Sequence, residues 1–253
     1  MVNSDALNTL ITIARDAGDA VMAHYGGDTV VQLKSDASPV TAADHAAHAV
    51  IVAALTLAFP DVPVISEEGE IPSHDARQHW RRFWLVDPLD GTKEFIHRNG
   101  EFTVNIALIE DGVPVLGVVF APALNVLYAA GRGLGSWKYD GGAERQQLFG
   151  PEAPGIDGVT IVESRSHPSA ELEAFLATLT VASRLPAGSS LKFGLVAEGK
   201  AHLYPRLGPT MEWDVAAGDC VYRYATREGV RSSPLSYNTP TLKQQSFVLG
   251  VIS

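Results

Sequence analysis

The chain has 253 residues, 46% of them hydrophobic, with a formal net charge of −10 at pH 7. That length and apolar content support a large core in one or two domains. The acidic balance argues against binding nucleic-acid polymers, but not against a small phosphorylated molecule, because bound cations and a few placed basic groups can reverse the local field.

The N-terminal MVNSDALNTL lacks a basic stretch leading into a long apolar one, so no signal peptide is expected. Ser4 can cap a first helix whose apolar face is Leu7, Leu10, Ile11, Ala14, Val21 and Met22, with Gly26-Gly27 ending it. A short strand over 30–33 follows. Thr41 opens a second helix with the stripe Ala47, Val50, Ile51, Ala54, Leu55 and Ala58. Pro60 and Pro63 bound a strand over 62–66, and the polar stretch 73–82 reads as a surface excursion. The apolar run 83–86 is a further strand. From Phe102 the period changes to two: strands over 103–109 and 113–120 joined by an Asp111-Gly112 turn, then 126–130, form an antiparallel meander.

Residues 141–157 are rich in Gly, Pro and acidic or amide groups and divide the chain into 1–145 and 146–253. Beyond them, strands at 159–162 and 201–204 alternate with helices near 169–179, 190–198 and 213–224. Cys220, the single cysteine, falls in the last helix as a small core residue. It allows no intramolecular disulfide, which suits a reducing cytoplasm. Peripheral contact with the inner membrane surface stays open, but no apolar run approaches the roughly 18 residues of a membrane helix. Periodicity alone gives a mixed α/β protein.

Three segments carry the chemistry. WLVDPLDGTKEF (84–95) ends an apolar strand in Asp87 and Asp90, with Pro88 between them, Gly91 permitting a reversal and the Thr92 hydroxyl next. Two carboxylates about 4 Å apart repel by about 4 kcal/mol at an effective dielectric of 20. Such a pair at the end of a buried strand calls for a cation, and hard oxygen ligands suit Mg²⁺. Alone, Asp-Pro and Asp-Gly are also ordinary turn dipeptides. A second apolar strand ends in Glu67 and Glu68, and Asp214 opens an Ala-rich helical run. Each of these alone is equally compatible with a solvated loop or a helix's first turn. Together, three acidic element ends fit one metal site assembled in three dimensions. The histidines show no zinc-type spacing, and no Gly-x-Ser-x-Gly elbow offers a nucleophile.

Glu67-Glu68, Asp87-Pro88-Leu89-Asp90-Gly91-Thr92 and Trp213-Asp214-Val215-Ala216-Ala217-Gly218 resemble the three signatures of the inositol monophosphatase superfamily, metal-dependent and lithium-sensitive phosphomonoesterases. Lys93-Glu94-Phe95 is similar to the CysQ-type 3'(2'),5'-bisphosphate nucleotidases within it, as are segments 38–44, 164–167, 188–193 and 196–214. The resemblance spans nearly the whole chain and implies a layered αβαβα sandwich.

It also implies site roles. Glu67, Asp87 and the Leu89 carbonyl would hold one Mg²⁺; Asp87, Asp90 and Asp214 a second; Glu68 would assist through a hydrogen bond or a third, weaker ion. Thr92 and Asp44 would orient the attacking water near the first ion. Thr41-Ala42-Ala43-Asp44 also looks like a capping box with Asp in place of Glu, so Asp44 has a structural reading beside the catalytic one. Gly91, Thr92 and Asp214 would line the cleaved phosphate. Ser189, Ser190 and Lys192, at a helix start, would hold the phosphate that is not cleaved. Arg206 adds a second positive group, Thr210 a contact to sugar or base, and Ser164, Arg165 and His167 a substrate-binding turn; each also reads as a solvated loop residue.

The activity this implies is Mg²⁺-dependent removal of the 3'-phosphate of 3'-phosphoadenosine 5'-phosphate, with its sulfated precursor as a further substrate, in sulfate assimilation. Partners beyond that small nucleotide reduce to a monomer or a homodimer. Two other readings remain: an inositol or sugar monophosphatase, and a noncatalytic metal- or nucleotide-binding protein.

Overall fold

The computed structural model describes residues 2–26, 31–33, 39–141, 144–166 and 169–251, with backbone alone for 31–33 and 39. Helix α1 (Ser4–Met22) is capped by Asn3, one residue before the expected Ser4, because the Asn3 side chain accepts the Ala6 N–H at 2.9 Å. Strand β1 (Val31–Leu33) pairs antiparallel with β2 (Pro39–Thr41), and α2 (Ala42–Ala58) starts from Thr41 as its pattern indicates. Then come β3 (Val64–Ser66), α3 (His74–Arg77), β4 (Arg82–Asp90) and α4 (Thr92–Ile96).

The stretch 73–82 is not a plain surface excursion. Arg77 of α3 is buried, and its guanidinium donates to Asn238 Oδ1 (2.7 Å) and to the Thr239 and Pro240 carbonyls (2.9 Å each). Burial of that charge is tolerable because three oxygens replace its water.

The meander follows the alternation: β5 (Thr103–Glu110), β6 (Val113–Ala121) and, after a 3₁₀ turn, β7 (Val126–Gly131). Asp111 and Gly112 have φ of 51° and 76°, the left-handed pair that a two-residue hairpin turn requires. The sheet then continues through β8 (Gly135–Asp140) and β9 (Arg145–Leu148) to seven strands in sequence order from β3. The second half contains β10 (Val159–Ser164), α5 (Ala170–Leu176), β11 (Val181–Ala187), α6 (Leu191–Ala197), β12 (Leu203–Arg206), β13 (Thr210–Met211), α7 (Glu212–Arg223), β14 (Lys243–Gln244) and β15 (Phe247–Gly250). A four-stranded sheet has the order β11-β10-β12-β15.

The layers follow from which apolar faces meet. Leu10 of α1 and Ile51 and Leu55 of α2 pack on Trp84, Ile106 and Val118 of the large sheet. On its other face, Phe193 of α6 and Ala217 and Cys220 of α7 lie between that sheet and Tyr204 and Leu249 of the small one. Leu172 and Leu176 of α5 cover Ile161 and Leu203 from outside. This is the αβαβα sandwich. Among the described residues no helix is long and apolar enough to cross a membrane.

Helix α7 sits unusually close to the sheet. A Cβ added at Gly117 of β6 would stand 2.6 Å from Cys220 Cβ and 2.9 Å from the Ala217 carbonyl oxygen. Gly117→Ala should therefore overpack this interface and destabilise the fold by about 1–3 kcal/mol. At about 2–4 °C per kcal/mol for a chain of this size, a melting curve should resolve the loss. An unchanged or raised melting temperature would show that α7 does not depend on that approach.

Candidate active site

Strand β4 presents its two aspartates by breaking its own alternation. Asp87 pairs with Asn105 and Asp90 with Thr103, so three steps along β4 match two along β5. Residues three apart in a regular strand face opposite sides; the extra residue resets the phase and turns both carboxylates the same way. The Leu89 N–H donates to Asp87 Oδ1 at 3.0 Å and fixes that side chain. Gly91, at φ +89°, then reverses the chain and starts α4 at Thr92.

Two further elements complete the cluster. Strand β3 runs parallel to β4, and the Glu67 N–H just beyond it donates to the Val86 carbonyl at 3.1 Å. Asp214 stands in the first turn of α7, where its Oδ2 accepts the Met211 N–H (3.0 Å) and the Thr210 hydroxyl (2.5 Å). Carboxylate oxygens of Glu67, Asp87 and Asp214 lie within 4.8 Å of one another. Asp90 is not in that trio, though its charge acts on both Asp87 and Asp214.

Burial and mutual repulsion dominate the electrostatics of this group. Burial, then the charges of Glu67, Asp90, Asp214 and Asp44, holds the Asp87 carboxyl well above the usual range. Burial and the charge of Asp90 push Asp214 up to about 7. Burial also raises Asp90, against the opposing influence of Lys192 and Arg206. Carboxylates that resist ionisation among themselves are relieved by a cation, and an all-oxygen donor set fits a hard divalent ion such as Mg²⁺.

Asp44 bonds both the helix cap and Thr92. Its Oδ2 accepts the Thr41 N–H (2.8 Å) and hydroxyl (2.7 Å), the cap of α2. Its Oδ1 accepts from Thr92 Oγ1 at a longer 3.4 Å. The bonds to Thr41 are buried, and the bond to Thr92 lies at the edge of the cleft.

A cleft of about 230 Å³ adjoins the cluster, bounded by Glu67, Asp90 and Asp214 on one side. Gly91, Thr92, Ser164, Lys192 and Arg206, expected near substrate, all line it. Lys192 is buried and pushed down to about 8, chiefly by burial, with its Nζ donating to the Ser189 (2.5 Å) and Ala187 (3.4 Å) carbonyls. Ser190 also touches the cleft, but its hydroxyl donates to the Asp214 carbonyl (2.6 Å) and accepts from Asn105 (3.0 Å), so it fastens two elements. Thr210 is likewise occupied by Asp214. Arg165 points its guanidinium at Glu101 instead of the cleft. Glu68 acts on the neighbouring His48, whose Nδ1 is 2.8 Å from Ser66 Oγ. His167 lies outside the described residues.

Three residues were not anticipated in these roles. Asn105 is fully buried on β5 opposite Asp87, with its Oδ1 unpartnered; a lone amide in the apolar run TVNIALIE was the signal. Glu94, within α4, and Glu101, after it, reach across to the second half of the chain, where they bond Ser166, Arg165 and Gly188.

The sequence pattern that defines the inositol monophosphatase family matches residues 3–226. The chain is 54% identical over 217 residues to the 3'(2'),5'-bisphosphate nucleotidase CysQ of Escherichia coli K12, covering 85% of this chain and 86% of that one. It is 35% identical over 254 residues to the Haemophilus influenzae CysQ, covering 98% and 93% of the two chains. The crystal structure of CysQ from Bacteroides thetaiotaomicron superposes with a TM-score of 0.82 at 38% identity, over 98% of each chain. With the pattern, the acidic cluster and the layered fold in agreement, the chain belongs to the inositol monophosphatase family.

Proposed function

We propose that the protein is a Mg²⁺-dependent phosphatase that hydrolyses the 3'-phosphate of 3'-phosphoadenosine 5'-phosphate to AMP and phosphate. Several relatives named for that activity support the substrate class. The observation that favours it over a monophosphatase is the second, basic wall of the cleft. Lys192 and Arg206 line it and both act on Asp90, so the acidic cluster and a cationic anchor share one space. A substrate with two phosphates matches both.

In this reading Glu67, Asp87 and the Leu89 carbonyl would hold one Mg²⁺, and Asp87, Asp90 and Asp214 would hold another. Bound there, Mg²⁺ would supply charge neutralisation on the phosphoryl group and a more acidic water. Phosphoryl transfer asks the protein mainly for positioning, which suits a site without a nucleophilic side chain. The Thr92 hydroxyl donates to Asp44 Oδ1, so an oxygen lone pair of Thr92 is turned to accept a proton from the attacking water. Asp44 in turn is fixed by the Thr41 cap and can take up positive charge passed through Thr92. Lys192 and Arg206 anchor the phosphate that stays on the product.

Phosphate release from 3'-phosphoadenosine 5'-phosphate and from inositol 1-phosphate, at equal concentration with Mg²⁺ and with or without EDTA, tests the function. An EDTA-sensitive preference for the nucleotide is expected. Equal rates, or a preference for inositol phosphate, would make the protein an inositol monophosphatase with the same metal chemistry.

Asp44→Asn separates catalysis from capping. The amide has a single oxygen, which can serve Thr41 or Thr92 but not both. Turnover should fall by about 10²–10⁴-fold, the usual worth of general-base assistance. Loss of part of the cap costs about 1 kcal/mol, seen as a drop of a few degrees in melting temperature. Near-normal turnover with a lowered melting temperature would leave Asp44 as a cap alone.

A further inference from the structure

The cationic wall of the cleft does not stand on its own element. Lys192 projects from the start of α6, directly after the turn 187–190, and that turn is docked on the segment carrying Asp90 and Thr92. Ser189 Oγ donates to the Asp90 carbonyl at 2.8 Å. The Gly188 N–H donates to Glu101 Oε2 at 2.7 Å. A Cβ at Gly188 would stand 2.6 Å from the Glu101 carbonyl oxygen and 3.0 Å from Glu94 Cγ, so only glycine lets these backbones approach so closely.

The same two glutamates hold the neighbouring turn after β10. Arg165 Nε and Nη2 donate to the two oxygens of Glu101, each at 2.7 Å, in the planar two-pronged geometry of arginine and carboxylate. Nη2 also donates to the Pro186 carbonyl at 3.0 Å. Ser166 Oγ donates to Glu94 Oε1 at 2.5 Å. Burial opposes ionisation of Glu101, but the Arg165 and Gly188 bonds outweigh it and hold the carboxyl below its usual range.

We propose that Glu101, gripping Arg165 and the Gly188 N–H together, is a positioning residue that sets the height of Lys192 above the metal-binding loop and so sets specificity for a substrate with a second phosphate. This rests on the bisphosphate reading above. Glu101 is absent from the cleft wall, whereas Ser164 and Lys192, next to the two turns it joins, are part of it. Glu94 supports the Ser166 side of the same junction, which gives the Lys93-Glu94-Phe95 sequence a physical meaning.

The sign of the effect separates this role from simple electrostatics. Glu101 lies close enough to Lys192 to favour its charged form. Removing that negative charge would, by field alone, strengthen binding of an anion. Loosening the turn would weaken it.

The test compares wild type, Glu101→Gln and Arg165→Gln, in Mg²⁺, on 3'-phosphoadenosine 5'-phosphate and on adenosine 3'-monophosphate, which lacks the second phosphate. Positioning predicts that KM for the bisphosphate rises about tenfold, equivalent to ~1.4 kcal/mol. Both variants should do this, with kcat within about twofold and KM for the monophosphate unchanged. A lower KM for the bisphosphate in Glu101→Gln would overturn the proposal in favour of a field effect. Equal changes on both substrates, with a lowered melting temperature, would overturn it in favour of a merely structural ion pair. A wild type without preference for the bisphosphate would remove the function reading and this role with it. A preference that survives both substitutions would remove this role alone.

Discussion

The mutual repulsion of four carboxylates in one small volume is the constraint around which the molecule is arranged. Glu67, Asp87, Asp90 and Asp214 come from three separate elements, and each is held by backbone that could relax if the cluster were not wanted. Asp87 is pinned by the Leu89 N–H, Asp214 by Met211 and Thr210, and Glu67 by the main chain of β4. The bulge in β4 puts Asp87 and Asp90 on one side at the expense of regular pairing. Folding therefore accepts an unfavourable charge arrangement, one that a bound divalent ion would relieve.

That constraint propagates outward. Asp214 can meet Glu67 and Asp87 only if α7 lies tight against the large sheet, which Gly117 permits from the strand side. Gly218, whose added Cβ would be 2.4 Å from the Phe193 ring, permits the matching approach of α6. Glu212, buried in the first turn of α7, accepts from the Asn238 and Thr239 N–H groups, and Arg77 holds the same loop from the other side. The acidic side of the cleft is thus braced through the core. The basic side is braced differently, by polar contacts between partly buried turns at Ser189, Gly188 and Glu101. Charge neutralisation is built into the rigid layers, and substrate choice into a junction that substitutions can tune.

Much of this was legible in the sequence because it is local. The Asp87-to-Thr92 segment, the Asp111-Gly112 turn, the meander and the Thr41 cap are each set by neighbours within a few residues. What escaped was carried by pairing and tertiary contacts that leave no local pattern. Strand β11, largely exposed, carries no alternation to announce it, and β8 is only partly buried; both exist because a neighbouring strand offers hydrogen bonds. Arg77 looked like a surface cation, but its acceptors lie 161 to 163 residues away. Arg165 and Ser190 sat in the expected turns, yet their partners Glu101 and Asn105 are on the far side of the chain. Asp44 was ambiguous because a carboxylate has two oxygens, and here one accepts from Thr41 of the cap and the other from Thr92.

The central claim, that the acidic cluster is protonated in part until a divalent ion enters, has a direct measurement. Titration calorimetry of Mg²⁺ into the EDTA-treated, dialysed protein, repeated in buffers of different ionisation enthalpy, counts the protons released on binding. Asp214, raised to about 7 by burial and Asp90, binds a proton at pH 6.5 that the ion must expel. The account predicts net proton release at pH 6.5 that declines as the pH is raised toward 8.5. Binding without proton release at pH 6.5 would contradict it, because the carboxylates would then already be ionised and their convergence would not be the strain that the ion relieves.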